Sequence, residues 1–89
     1  MNFSEALLAL KDGKRVSRAG WNGSGMWVCM MPPVVIPEGL VNGRTKAFVP
    51  TGDLCVAAYF VIWTAHQVWQ PGWSASQADM LATDWSVLP

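Results

Sequence analysis

The chain predicts an α+β fold: one domain over residues 1–89, in which a compact antiparallel sheet carries an N-terminal helix and a short C-terminal helix. Three observations carry this. A capped, amphipathic segment opens the sequence at Asn2. A run rich in β-branched and aromatic residues, Val56 to Thr64, lies past the middle. Two serines with capping partners, Ser74 and Ser76, stand close to the end.

The first segment reads as a helix over 3–12. Asn2 and Glu5 have the spacing of a capping box, and Phe3, Ala6, Leu7 and Leu10 share one helical face. Lys11 suits the last turn and Gly13 a left-handed stop. Residues 14–18 alternate as a short strand, with Lys14, Val16 and Arg18 on one face and Arg15 and Ser17 on the other. Gly20, Gly23 and Gly25, with the Asn22-Gly23 pair, make 20–25 a tight connection. Met26 to Met31 is a second strand, ended by Pro32-Pro33.

Residues 32–55 are punctuated by Pro37, Gly39, Asn42-Gly43, Pro50 and Gly52. They read as a long loop or an extra hairpin, with apolar runs at Val34–Ile36 and Ala47–Val49 suited to short strands. Val56 to Thr64 is apolar nearly throughout, as in a central strand buried on both faces. Residues 64–67 turn the chain, and Val68 to Gln70 is the return strand, stopped by Pro71-Gly72. Ser74 with Gln77, or Ser76 with Asp79, caps a helix over about 76–83, and 84–88 closes as a strand.

Composition narrows the function. The 89 residues include six tryptophans, more than a core of this size hides, so oligomerisation or an aromatic binding surface is expected. Net charge is zero, which argues against a general nucleic-acid binder held by phosphate contacts. No apolar stretch is long enough to span a bilayer, and no basic, apolar leader opens the chain. Cys29 and Cys55 read as two buried, reduced thiols. His66 is the only histidine and sits beside a turn, so neither a metal cluster nor a catalytic triad is expected. Asp79 and Asp84 lie five residues apart and are expected to point in different directions.

What remains is a binding constellation. Trp21 beside Asn22, and Trp73 beside Ser74, Ser76, Gln77 and Asp79, place indole faces next to amide, hydroxyl and carboxylate groups. Such pairings suit a nucleobase or ribose. The bland alternative gives Trp21 and Trp73 to the core and the polar residues to capping, and Trp85 is expected in the core on either reading. Arg18 and Arg15 are the candidate phosphate contacts, with Arg44 and Lys46 as further counter-charges.

Several segments together resemble a family of small phage and prophage proteins that includes the second type of Thoeris anti-defence protein. They are Asn2-Phe3-Ser4-Glu5-Ala6-Leu7, Gly13-Lys14-Arg15-Val16, Gly20-Trp21-Asn22-Gly23 and Ser76-Gln77-Ala78-Asp79-Met80-Leu81-Ala82-Thr83-Asp84-Trp85. The resemblance implies a non-enzymatic sponge without a cofactor. It would bind a cyclic ADP-ribose isomer of the glyco-cyclic class, made by bacterial TIR-domain immune proteins, without cleaving it. It implies a homo-oligomer, typically a tetramer, with pockets between subunits, acting in the cytoplasm of an infected bacterium; some members hold cyclic dinucleotides at a separate site. Carried over by position, its ligand residues are Trp21, Asn22, Ser76, Gln77 and Asp79; Trp73 and Ser74 come from the residue reading alone. The competing expectations are an interaction module with a tryptophan-rich interface, and a small hydrolase in which Asp79 or Asp84 polarises water.

Overall fold

A computed structural model describes residues 1–49 and 51–89. Helix α1 spans Phe3–Lys11. The Asn2 side chain accepts the Glu5 N–H at 2.9 Å, and the Glu5 carboxylate accepts the Asn2 N–H at 3.0 Å, so the capping box is complete. Gly13 takes φ +84°, and the N–H groups of Gly13 and Lys14 close back on the carbonyls of Leu10 and Ala9. This left-handed stop occupies Lys14. Strand β1 therefore begins later than its alternation suggests, at Val16–Arg18.

The main sheet adds β2 (Trp27–Met31), β5 (Tyr59–Trp63), β6 (Trp69–Pro71) and β7 (Trp85–Val87). The order is β6-β5-β2-β1-β7, antiparallel throughout. Pro71 does not stop β6 as expected. It is the strand's last residue, on the sheet edge, where a missing N–H costs no ladder bond.

Register sorts the side chains into two faces. Val28 opposite Ile62 and Met30 opposite Phe60 face the same side as Val16 and Trp85. Against them lie Ala6 and Leu10 of α1; Ala6, Leu10, Val16, Val28 and Trp85 make the buried core, and Met30, Phe60 and Ile62 pack half-buried against it. Helix α3 (Gln77–Leu81) packs on this side too, through Trp85. The far face carries Trp27, Cys29, Met31, Tyr59, Val61, Trp63 and Trp69, and neither α1 nor α3 covers it. In β5 only Val61 is fully buried, and it lies on the far face; its neighbours Tyr59, Phe60, Ile62 and Trp63 are half-buried, so the strand expected to be buried on both faces is only partly so on each. The thiol expectation is corrected on the same ground: Cys29 is half-buried on the uncovered face and Cys55 is exposed.

The excursion is a hairpin. Strand β3 (Val34–Ile36) pairs with β4 (Leu54–Val56), as a ribbon that prolongs the β2–β5 pair. Pro32-Pro33 and Ala57-Ala58 separate the two ladders, because prolines donate no N–H and the pairing lapses there. The apolar run from Val56 is broken for this reason. Between the arm's strands lie a 3-10 turn, Glu38–Leu40, and α2, Gly43–Lys46. The strand expected at Ala47–Val49 is absent. Asn42 accepts the Thr45 N–H at 2.9 Å and starts a helical turn, whose end is closed by Phe48 and Val49 N–H groups on the Thr45 carbonyl. Pro50 lies outside the described residues.

Candidate functional site

The loop Gly20–Gly25 leaves β1 at the end of the sheet opposite the arm. Trp21 turns from it onto the core side and meets Trp85 edge-on, with ring centroids 5.3 Å apart. Trp73 reaches the same place after β6. Its N–H bonds the Phe60 carbonyl, and its ring stands 6.4 Å from both Trp21 and Trp85. The result is a three-indole cluster with Trp85 buried and Trp21 and Trp73 half-buried. Edge-to-face packing leaves part of each outer ring open to solvent.

Helix α3 borders this cluster. Ser76 Oγ accepts the Asp79 N–H and Asp79 Oδ2 accepts the Ser76 N–H, both at 3.0 Å. Ser76, not Ser74, is therefore the cap. Asp79 Oδ1 also accepts Trp21 Nε1–H at 3.0 Å and Arg18 Nη1–H at 2.7 Å. The helix ends at Leu81, two residues earlier than expected, because the next residues swing Asp84 towards β1. Asp84 Oδ1 accepts Arg18 Nε–H at 2.9 Å, and its Oδ2 accepts the Gly20 N–H at 2.6 Å. Asp79 and Asp84 thus converge on one guanidinium instead of pointing apart. Helical spacing does not apply, since Asp84 lies beyond the helix.

Electrostatics follow the geometry. Burial alone pushes the Asp79 carboxyl up, but the donors Trp21, Arg18 and Ser76 outweigh it and hold it at about 2. Arg18 and the Gly20 N–H hold Asp84 below the usual carboxylate range, against a smaller opposing effect of burial. The Arg18 guanidinium is raised, first by Asp84 and then by Asp79. Both carboxylates are held ionised and each of their oxygens already accepts at least one hydrogen bond, and among the described residues no group of His, Cys, Asp and Glu could hold a metal ion.

The other expected residues divide cleanly. Asn22, Ser74, Ser76 and Gln77 are exposed on the segments that carry Trp21, Trp73 and Asp79. Among the described residues, no protein group bonds the side chains of Asn22, Ser74 or Gln77. Arg18 joins the cluster, but as the partner of two carboxylates. Arg15 projects to the opposite face, its guanidinium 5.2 Å from the Trp27 ring centroid and bonded to the Pro89 carbonyl. Arg44 and Lys46 lie on α2 in the arm, at the far end of β2 from Trp21. His66 is exposed in its turn.

Three features were not anticipated. Gly20 and Asp84 belong to the cluster; the signal for Gly20 was its place beside Trp21, and for Asp84 its place beside Trp85. On the far face, Trp27 and Trp63 stack at 5.8 Å and 15°, with Trp69 edge-on to Trp27. Their cross-strand register, Trp27 opposite Trp63 opposite Trp69, is invisible until the strands pair. A hollow of about 160 Å³ lies in the arm, between Glu38, Val41, Lys46, Val49, Thr51 and Gly52, far from the tryptophan cluster in the fold.

Comparison with known proteins agrees with the motif reading. One relative is "Thoeris anti-defense 2" from Bacillus phage SP01, 29% identical over 98 residues that cover 99% of this chain and 94% of that protein. The family model of the Thoeris anti-defense 2-like domain matches residues 1–88, nearly the whole chain with both site segments inside it. The chain belongs to the Thoeris anti-defense 2-like family.

Proposed function

We propose that this protein is a phage-type anti-defence sponge. It binds a cyclic ADP-ribose isomer of the glyco-cyclic class without cleaving it, and so withholds the signal from Thoeris-type immunity. One observation carries the proposal. Two motifs about 55 residues apart in sequence are joined by the 3.0 Å bond from Trp21 Nε1 to Asp79. Around that bond lie half-exposed indoles and the free polar ends of Asn22, Ser74 and Gln77. Trp21 and Trp73 offer faces for a base, where stacking contributes about 1–3 kcal/mol. The amides and hydroxyls offer donors and acceptors for ribose and phosphate. Arg18, Ser76 and Asp79 border the same place, and Arg15 is a phosphate contact only for a ligand that reaches the opposite face.

Binding is favoured over hydrolysis by the state of the carboxylates. Asp79 and Asp84 already accept from Arg18, Trp21, Ser76 and Gly20, so neither stands free as a general base for water. The tryptophan cluster is open on one side in a single chain, whereas nucleotide-sized ligands are commonly held in clefts of ~300–1,000 Å³. A homotetramer with pockets between subunits would supply the missing wall, and the uncovered far face of the sheet gives copies an apolar surface to share. The expected compartment is the cytoplasm of the infected bacterium; no helix among the described residues is long and apolar enough to cross a membrane. A separate site for a cyclic dinucleotide belongs to the same proposal.

Isothermal titration with a panel of cyclic ADP-ribose isomers and cyclic dinucleotides, followed by heat release and chromatography, tests it. The expected result is tight binding of at least one cyclic ADP-ribose isomer, recovered intact. Absence of binding across the panel, or recovery of a cleaved product, overturns it. The stacked Trp27–Trp63 pair favours one other reading, an interaction module built on that face. A protein partner lost on Trp63→Ala, with no small-molecule binding, would support that reading instead.

A further inference from the structure

We infer that Arg18, Asp84, Gly20 and Asp79 form a lock that positions Trp21, and that Trp21 meets a ligand through its ring face alone. The ligand clause rests on the sponge reading above; the lock does not. Trp21 has a single polar side-chain atom, Nε1, and that atom is spent on Asp79 Oδ1. Asp79 is 7% exposed, and its two oxygens accept from Arg18, Trp21 and Ser76. It presents almost nothing to a ligand, so its part is to aim the indole.

The other three residues hold the backbone that carries the ring. Asp84 grips the loop just before Trp21, through the Gly20 N–H at 2.6 Å. The Asp84 carbonyl also accepts the Ala19 N–H at 3.3 Å. Arg18 ties that carboxylate to Asp79 through two separate edges, Nε to Asp84 and Nη1 to Asp79. A planar fork can do this; an ammonium cannot span both positions in fixed geometry. Gly20 completes the fit by being absent: a Cβ there would stand 2.9 Å from Asp84 Oδ2 and 3.2 Å from Arg18 Nη2. Gly20 lies in the turn that the Trp21 N–H closes on the Arg18 carbonyl, without a positive φ, so what favours glycine there is the closeness of the ion pairs and not a left-handed backbone. Trp85 Nε1 bonds the Asp79 carbonyl at 2.9 Å, a backbone contact that gives an internal control.

The test is hydrogen exchange of the Trp21 and Trp85 indole N–H groups in ¹⁵N-labelled protein, read with titration of a glyco-cyclic ADP-ribose. The variants are Arg18→Lys, Gly20→Ala and Asn22→Ala. In Arg18→Lys and Gly20→Ala, Trp21 exchange should accelerate about tenfold or more while Trp85 stays within about twofold. Ligand affinity should fall with it in Gly20→Ala, which removes no ligand-facing group, and in Arg18→Lys, which keeps the positive charge bordering the site. Asn22→Ala should weaken binding and leave both exchange rates unchanged. Unchanged Trp21 exchange in Arg18→Lys and Gly20→Ala overturns the lock. So does equal acceleration of both indoles, which would mean general loosening. If the wild-type protein binds no ligand while the exchange pattern holds, the sponge reading fails and the lock stands.

Discussion

Asp79 concentrates the chemistry of the chain in one residue. Its carboxyl sits at about 2, against an ordinary 3.8, because three donors outweigh the cost of burying the charge. A folded value below the unfolded one means that the associated stability is complete above about 3.8 and is lost as pH falls through about 2. The contribution is on the order of 2 kcal/mol. Asp84, lowered in the same direction, adds to the same acid loss. Urea unfolding at stepped pH should therefore show the wild type losing on the order of 2 kcal/mol more than Asp79→Asn between pH 4.5 and 2. Equal losses would mean that another group titrates. At this scale the sequence was partly legible. Trp21, Asn22, Ser76 and Asp79 could be named from their motifs, and Ser76 from its capping spacing. The convergence of Asp79 and Asp84 on Arg18 could not be read, because it depends on where α3 stops and on the register of β1 against β7.

Among the elements, the capped helices were the most legible, since a cap is a local bond between residues three apart. Both boxes, Asn2 with Glu5 and Ser76 with Asp79, formed as their spacing required. Helix α3 has only five residues, so it leans on its cap more than α1 does. Ser76→Ala should cost about 1 kcal/mol in thermal or urea unfolding. It should also weaken ligand binding, because the start of α3 carries Gln77. An unchanged midpoint would assign the stability of α3 to tertiary packing alone. The arm was the least legible element. Asn42-Gly43 signals a turn, yet Asn42 serves as a helix cap, and the apolar run Ala47–Val49 yields to the helix-ending turn after it. The arm is nevertheless separable: among the described residues, the buried core cluster draws nothing from 37–49 or 51–53. Replacing 37–53 by Asn-Gly should join β3 to β4 with a two-residue turn and leave near-ultraviolet circular dichroism essentially unchanged. Loss of cooperative unfolding in that protein would show that the arm supports the core.

For the molecule as a whole, the two faces of the sheet set the problem. One side is closed by α1, α3 and the Trp21–Trp73–Trp85 cluster. The other leaves Trp27, Met31, Tyr59, Trp63 and Trp69 without a covering layer, and Trp69 is 44% exposed. A chain of 89 residues that leaves a tryptophan-rich sheet face half-buried and without a second layer is poorly suited to exist alone. The excess of tryptophan made this legible before any fold was known; which tryptophans would be left over was not, because that depends on strand pairing. A second copy is the occupant we propose, since among the described residues this face is nearly uncharged, with Arg15 the one strong charge near its tryptophans. If the face is shared between copies, a charge placed on it should separate them. Trp69 offers the mildest position, being exposed and on the edge strand β6, so that Trp69→Glu leaves the buried core untouched. Light scattering after gel filtration should give about four times the 9.7 kDa chain mass for the wild type and a smaller species for Trp69→Glu. A copy docked on the far face lies behind the sheet from the Trp21 cluster, so within a tetramer it serves the pocket by carrying a further pair of chains into place, and the separated chains should bind the cyclic signal about tenfold or more weakly. A wild-type protein that runs as one chain would remove the inter-subunit pocket. Any ligand would then have to be held by the Trp21 cluster of a single chain, and dissociation of Trp69→Glu with binding intact would lead to the same conclusion.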